Sequence, residues 1–450
     1  MKLLKIYYLF FLLAFIIPHE SMAQISKLKS IDIGALINAI TDSLNKHYIF
    51  PEKALSISVY LQKQCKKNAY IGLLNDPQKL AEQIMKDINV VHHDPHMRIK
   101  FEPDFVSPQI YKASPEDIER VKKYWKENNY MFKKVEILTG NIGYLPFDLF
   151  VEDIEAAKPI ITAALKFLVN TSALIIDLRA NMGGSPEMVS QIESYFFKEK
   201  THMNDLINRS NKDTTLLYAD PAKSDSLYLS MPVYILTSQH TFSGAEDFSY
   251  AMQIAKRAIV VGETTGGGAH PQMPFSVGEG FVVFIPFARS INPITQTDWE
   301  RKGVIPDVKA TANQTFTKAQ ELIFKNLLLK ATDQKEKNKY SYYINSLLVN
   351  DSNKQLPSKK LLPFVGTYGG LIIYLIKNKL YCKNNNNGGA VSALKHLSNN
   401  LFVLDKDAQI EFIKDNKKHY SSIKILVNDG SVFEETRSIN SHFAKPIDLN

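Results

Sequence analysis

The sequence predicts an α/β core with a helical bundle on its N-terminal side and a small antiparallel β module on its C-terminal side. Three observations carry this. Between about 136 and 308, short apolar runs alternate with amphipathic stretches, at 143–147, 156–168, 173–178, 187–197, 233–236, 245–256 and 259–262. Strands alternating with helices in this way argue a largely parallel sheet. Ahead of the core, Ile33, Ile37, Ile40 and Leu44 recur at three- and four-residue steps, as do Leu80, Ile84 and Ile88 after an Asp76-Pro77 start; such spacing builds one face of a helix. Beyond the core, strand-like runs at 371–376, 379–382, 401–404 and 410–413 are separated by turn-rich segments such as 384–389.

Taken in order, residues 1–23 read as an export signal. Lys2 and Lys5 precede an apolar run at 7–17, too short to span a bilayer, and Ser21-Met22-Ala23 offers a small-x-small cleavage site before Gln24. No cysteine follows the site, so no lipid anchor is expected, and the mature chain belongs in the periplasm or outside the cell. Residues 24–100 form the helical domain, interrupted at Pro51 and ending at His92-His93-Asp94-Pro95-His96. The charged stretch 97–135 shows no clear period, and the polar stretch 198–230 reads as a surface excursion. The core, 101–312, closes near Val308; 313–358 is a helical, lysine-rich linker, and 359–450 is the β module. Cys65 and Cys382 lie in no thiol motif and are expected to be free. The formal charge is +8, and +7 once Lys2, Lys5 and Glu20 leave with the signal. Its lysines are dispersed, and no zinc finger, aromatic RNA-binding signature or strongly basic helix is present, so a nucleic-acid partner is not indicated. Neighbouring ligands in 92–96 converge poorly on one ion and no His-Glu-x-x-His helix exists, so neither metal nor cofactor is expected.

Three corners of the core run a strand into glycines: 174–184, ending in Gly183-Gly184; 233–246, holding Thr241-Phe-Ser-Gly-Ala-Glu246; and 259–268, ending in Gly266-Gly-Gly268. Glycine lets backbone amides approach a ligand closely, though each corner alone is equally a tight turn. Ser243 sits where a strand gives way to a helix, at the positive end of that helix and beside free N–H groups. A nucleophilic serine needs those conditions. Ser-x-x-Glu before an apolar helix is also a capping box. None of the corners fits a Walker loop or the Rossmann spacing.

Five ordered segments then resemble one family: Asn141-Ile-Gly-Tyr-Leu, Asp177-Leu-Arg-Ala-Asn-Met-Gly-Gly184, Thr241 to Glu246, Gly262-Glu-Thr-Thr-Gly266 and Gly303-Val-Ile-Pro-Asp307. They resemble the tail-specific (carboxyl-terminal-processing) serine peptidases over about 140–310. The resemblance implies a crotonase-like spiral of ββα units, hydrolysis of polypeptide or peptide substrates, and Ser243 as nucleophile. Many relatives carry a lysine base in the glycine loop, but Gly266-Gly-Gly-Ala-His270 has none. Too few residues separate His96 from Asn141 for the PDZ domain that many relatives insert there. The segment before His96 is similar to the branch containing interphotoreceptor retinoid-binding protein. In the pattern of the tricorn core protease, a histidine precedes the core and a glutamate precedes the Gly-Val-x-Pro-Asp segment; His96 and Glu300 take those places.

On that pattern His96 takes the serine's proton and Glu300 orients the base or a water. The N–H of Gly244, with that of Gly183 or Gly184, forms the oxyanion hole. Glu246 caps the helix or supports the serine, His270 is the alternative base, and Asp177 and Arg179 order the corner. An unperturbed imidazole base would lose activity below about pH 6.5. No stable membrane anchor is expected after cleavage, and self-association is left open. The alternative on the same fold is a non-catalytic carrier or peptide-binding protein.

Overall fold

Aspartates and prolines start the N-terminal helices. In the computed structural model, which describes residues 31–105, 115–209, 213–347 and 356–438, Asp32 caps α1 (Ile33–His47) by accepting from Ala35 N–H at 3.0 Å. Pro51 opens α2 (Pro51–Lys66), and Asp76 with Pro77 opens α3 (Pro77–Val91). Proline suits a first turn because its missing N–H would have no partner there. The expected signal segment, 1–23, lies outside the described residues.

The stretch 97–135, which has no legible period, folds into β1 (Arg98–Phe101) and α4 (Pro115–Glu127), whose Val121 and Trp125 are buried. Next come β2 (Glu136–Leu138), β3 (Ile142–Pro146), α5 (Ile154–Phe167), β4 (Ala173–Asp177) and α6 (Pro186–Glu193). The polar stretch expected as a surface excursion is instead a hairpin, β5 (Thr201–Asn208) and β6 (Asp213–Ala219). A bulge at His202–Asn204 puts Met203, Asn204 and Leu206 all inside, which breaks the period-two pattern a strand would show in sequence. Then follow β7 (Val233–Thr237), α7 (Gly244–Ile254), β8 (Ala258–Gly262), β9 (Gln272–Ser276), β10 (Phe281–Pro286), β11 (Ala288–Ile291) and β12 (Val308–Lys309).

The main sheet has the order β12-β8-β7-β4-β3-β2, parallel except for β2. Strands β4 and β7 are buried at every residue, as befits a sheet covered on both faces. Two smaller antiparallel sheets complete this unit, β1-β10-β9 and β11-β5-β6.

The described residues up to Phe316 make one compact unit and those from Thr317 on make another. The N-terminal helices are not separate from the core. Ile37, Ile40, Leu44, Ile57, Ile84 and Ile88 share a single apolar cluster with Phe275, Phe281, Val283 and Ile285 of the β1-β10-β9 sheet. A short helical bundle with one apolar face buries that face where it can, and this sheet supplies the partner. The second unit includes the helix Gln334–Leu347, on which Gln409 bonds the Tyr342 carbonyl at 3.0 Å, together with a four-stranded and a five-stranded antiparallel sheet. The stretch expected as a linker thus contributes to this unit's packing. Both cysteines are free. No helix among the described residues is long and apolar enough to cross a membrane.

The shared cluster has a measurable consequence. Phe281 is fully buried in it, so Phe281→Ala should lower the unfolding free energy by about 3–5 kcal/mol. Urea unfolding followed by hydrogen exchange should show α1 to α3 and β9–β10 losing protection together; separate transitions would contradict a common core.

Candidate active site

The serine corner begins with an unusual backbone. Ser243 has φ 52° and ψ −120° at the start of α7. A non-glycine residue pays for positive φ, and such outliers cluster at functional sites. The helix start is satisfied by main-chain oxygen: the N–H groups of Glu246 and Asp247 bond the Ser243 carbonyl at 2.8 and 2.9 Å. The expected capping box is present, with Glu246 Oε2 accepting from the Ser243 N–H at 2.9 Å.

Glu246 does more than cap. Its buried carboxylate also accepts from Thr265 Oγ1 at 2.5 Å, from Gly267 N–H at 2.7 Å and from Gly268 N–H at 2.8 Å. One side chain therefore fixes both the serine and the glycine loop. Burial pushes this carboxyl up to about 7 against the pull of those four donors. The loop is pinned from its other side by Trp299 Nε1 on the Gly268 carbonyl at 3.0 Å and by Arg301 N–H on the Gly267 carbonyl at 2.8 Å.

The two glycines at the end of β4 pack against the corner. A Cβ on Gly183 would lie 2.6 Å from the Gly244 nitrogen, and one on Gly184 would lie 2.1 Å from the Phe150 oxygen. Both have positive φ, so only glycine fits. Their amides are not equivalent. The Gly183 N–H donates to Asn181 Oδ1 at 2.8 Å and is already committed. Of the expected oxyanion donors, the geometry therefore favours Gly184 with Gly244 over Gly183. Asp177 and Arg179 form the ordering pair expected of them, closed at 2.6 Å between Nη2 and Oδ2, and Tyr144 OH bonds the same oxygen at 2.8 Å.

His96 arrives from beyond the helical region. It is 4% exposed, and its ring lies 4.8 Å from that of Phe242, the residue before the serine. A Cβ on Gly268 would meet His96 Cε1 at 2.5 Å, so the glycine loop leaves room for this ring. Ligand atoms of Asp94, His96 and Glu300 fall within 4.8 Å of one another. Within this group His96 Nδ1 and Glu300 Oε1 are buried without a hydrogen-bond partner. Burial pulls the His96 imidazole down to about 4, against the attraction of Asp94. Burial likewise pushes the Glu300 carboxyl up to about 7, opposed by the charge of His270.

His270 is differently placed. Its Nδ1 lies 3.1 Å from Asp94 Oδ2 and 3.5 Å from Glu300 Oε2, and its Nε2 lies 3.9 Å from Asp298 Oδ2. Burial works against its charge, but Asp298, Asp94 and Glu300 outweigh it and hold the imidazolium up to about 9. A histidine that keeps its proton through neutral pH is a poor base and a good counter-charge. Asp94 also accepts from Tyr48 OH at 3.1 Å and from its neighbour's N–H, His96, at 3.0 Å. The cluster offers one nitrogen and two carboxylates to a cation, but His270 already supplies a positive charge there. No hydrogen bond joins Ser243 Oγ to either histidine among the described residues, and free sites often hold such contacts loosely. A cleft of about 420 Å³ opens beside this edge of the main sheet, lined by Asp177, Arg179, Ser238, His240 and Glu263 at or just beyond the strand ends. Ligands favour the carboxyl ends of parallel strands.

The comparisons with known proteins bear on this edge. Residues 141–310 match the model of peptidase family S41. That match covers less than half of the chain. The chloroplastic carboxyl-terminal-processing peptidase 2 of Arabidopsis thaliana is 30% identical over 169 residues, 37% of this chain and 31% of the relative. The carboxyl-terminal-processing protease of Synechocystis is 29% identical over 133 residues, 30% of each. The chain thus spans about a third of the length of these curated relatives. Among solved structures, the photosystem II D1 C-terminal processing protease is 24% identical over 38% of this chain and 42% of that one, with a TM-score of 0.31. The tricorn protease is 13% identical over 62% and 34%, with a TM-score of 0.38.

The S41 segment contains Ser243, Glu246, His270, Glu300 and the glycines, whereas His96 and Asp94 come from outside it. Sequence reasoning missed Asp94 as a hub, and it missed Asn181, Thr265 and Asp298. Asp94 could be found only through partners 46 and 176 positions away. Asn181 carried a local signal, an amide acceptor two residues before a glycine.

The Glu246 network yields a test. Glu246→Gln places an amide N–H₂ among four donors, and should cost about 2–4 kcal/mol while releasing the glycine loop. Thermal unfolding and limited proteolysis at 263–270 measure both effects; an unchanged midpoint would remove Glu246 from this role.

Proposed function

We propose that this protein is an exported serine peptidase that hydrolyses peptide bonds of polypeptide or peptide substrates, with Ser243 as nucleophile and His96 as base. The observation that carries the reading is the strained backbone of Ser243, held at a buried helix start by Glu246 and facing glycine amides. Strain of this kind is kept only where the surroundings enforce it. The match of 141–310 to the peptidase family model supports the reaction class, and the N-terminal pattern of 1–23 supports export. The run of strands and helices from β3 to β8 is compatible with a crotonase-like spiral.

In this mechanism Ser243 Oγ attacks the scissile carbonyl as His96 takes its proton. The tetrahedral oxyanion is held by the Gly184 and Gly244 N–H groups, each worth about 3 kcal/mol in the transition state. The imidazolium then protonates the leaving amine, and water repeats the sequence on the acyl-enzyme. Glu300, with an unpaired buried oxygen near the unpaired His96 Nδ1, orients the base and stabilises its charged form. Assigning Nδ1 to Glu300 leaves Nε2 for the serine. His270 and Asp94 are supporting groups: the imidazolium balances the carboxylates, which would otherwise repel one another.

A fluorophosphonate probe should label the wild-type chain and spare Ser243→Ala, whose fold is retained by circular dichroism. Labelling of the alanine variant would place the nucleophile elsewhere, and no labelling of either would favour the carrier reading.

The pH profile separates the two buried groups. Glu300 must be ionised to stabilise the imidazolium, so kcat/KM should fall as pH drops through about 7, and fall again near 4 where His96 itself takes a proton. Glu300→Gln should lower the plateau and remove the upper inflection. A single inflection near 6.5 in both proteins would mean an unperturbed imidazole base.

A further inference from the structure

The surplus positive charge belongs to one unit. Residues 317–450 hold twenty lysines and arginines against twelve aspartates and glutamates, an excess of eight that equals the +8 of the whole chain; residues 1–316 hold thirty-four of each. Within this second unit lies a cavity of about 600 Å³. Lys360, Lys414, Lys418 and Arg437 line it with the rings of Phe364 and Tyr420, and no aspartate or glutamate is among its lining residues.

These four cations make no ion pair among the described residues, although Lys335, Lys406 and Lys424 of the same unit do. Arg437 is fixed in the wall: Nη1 donates to the Tyr420 carbonyl at 3.2 Å, Nη2 to the Val365 carbonyl at 2.5 Å, and the guanidinium sits 5.8 Å from the centre of the Tyr368 ring. Carbonyl partners orient a guanidinium without neutralising it. Lys414 Nζ lies 5.0 Å from the centre of the half-buried Tyr420 ring. Like charges around one concavity repel, and a multivalent anion would relieve them all at once. The volume is that of a small-molecule site rather than a protein groove.

We propose that this cavity binds a small polyanion whose sulfate, phosphate or carboxylate groups are carried on a ring. Ammonium and guanidinium groups take the anionic substituents, and the packed rings of Phe364 and Tyr420 in the wall give the ligand's ring an apolar surface. This does not depend on the peptidase reading.

Isothermal titration of the full mature chain tests it with three probes: a heparin-derived disaccharide, inositol hexakisphosphate and hexaglutamate. At least one ring probe should bind, weaken with added salt, and weaken about tenfold or more in the Lys360→Gln/Lys414→Gln double variant. The heparin and inositol arms distinguish sulfated sugar from cyclic phosphate. Both lysines are exposed, so the double variant should keep its circular dichroism and its fluorophosphonate labelling at Ser243. Failure of both ring probes, equal binding to wild type and double variant, or binding of hexaglutamate alone would overturn the proposal.

Discussion

The carboxylate of Glu246 is the interaction on which the site depends. It holds the N–H of Ser243, whose φ is 52°, and it fastens the loop 266–268 from the side opposite Trp299 and Arg301. The same network reaches further. Thr265, which donates to Glu246, accepts from the Val304 N–H at 2.6 Å, tying the loop to the segment that follows Glu300. A buried carboxylate is costly unless its lone pairs are filled, and here four donors from two separate segments, Ser243 and the loop 265–268, fill them. The cost of burial is what makes the arrangement specific: a displaced loop would leave a charge unpaired in the interior. The capping box is thus retained, and it organises the serine corner as well as the helix start.

A second buried network meets the first at the glycine loop. Ala269 N–H donates to Glu300 Oε2 at 2.6 Å, and the next residue, His270, faces Asp94. Asp94 and His96 arrive on the chain between α3 and β1. Their placement rests on the apolar cluster that the N-terminal helices share with β9 and β10. This explains why the helical region folds into the core instead of standing apart. If His96 is the base, as proposed, it must be located to a fraction of an ångström, and an extensive apolar interface is how a chain fixes a distant segment.

The parallel sheet and its helices were legible because apolar runs and caps reported them locally. The strands of the hairpin 201–208 and 213–219 were not, since a bulge at His202–Asn204 breaks the alternation by which a strand is recognised. Ser243, Glu246 and the glycines stood out through spacing around turns, which is local. The preference for Gly184 over Gly183 was hidden, because it depends on where the Asn181 side chain turns. The protonation states were hidden too. Sequence gives His96 and His270 the same ordinary imidazole. Burial disfavours the charge of both, and their partners separate them: His96 loses solvent with Asp94 alone opposing the loss, whereas His270 gains three carboxylates.

On the proposed mechanism, that separation lets two histidines serve one site. A base must be free to accept a proton, which excludes a group held as imidazolium through neutral pH. A cluster of Asp94, Asp298 and Glu300 must carry a counter-charge or shed its own, which requires such a group. If His96 had gathered the carboxylates, it would be protonated and inert; if His270 had stayed neutral, Glu300 would lean further toward its protonated form and leave the base unsupported. Burial is common to both, so the division of labour comes from partners: His270 has its Nδ1 against a carboxylate, and His96 keeps its Nδ1 unpartnered.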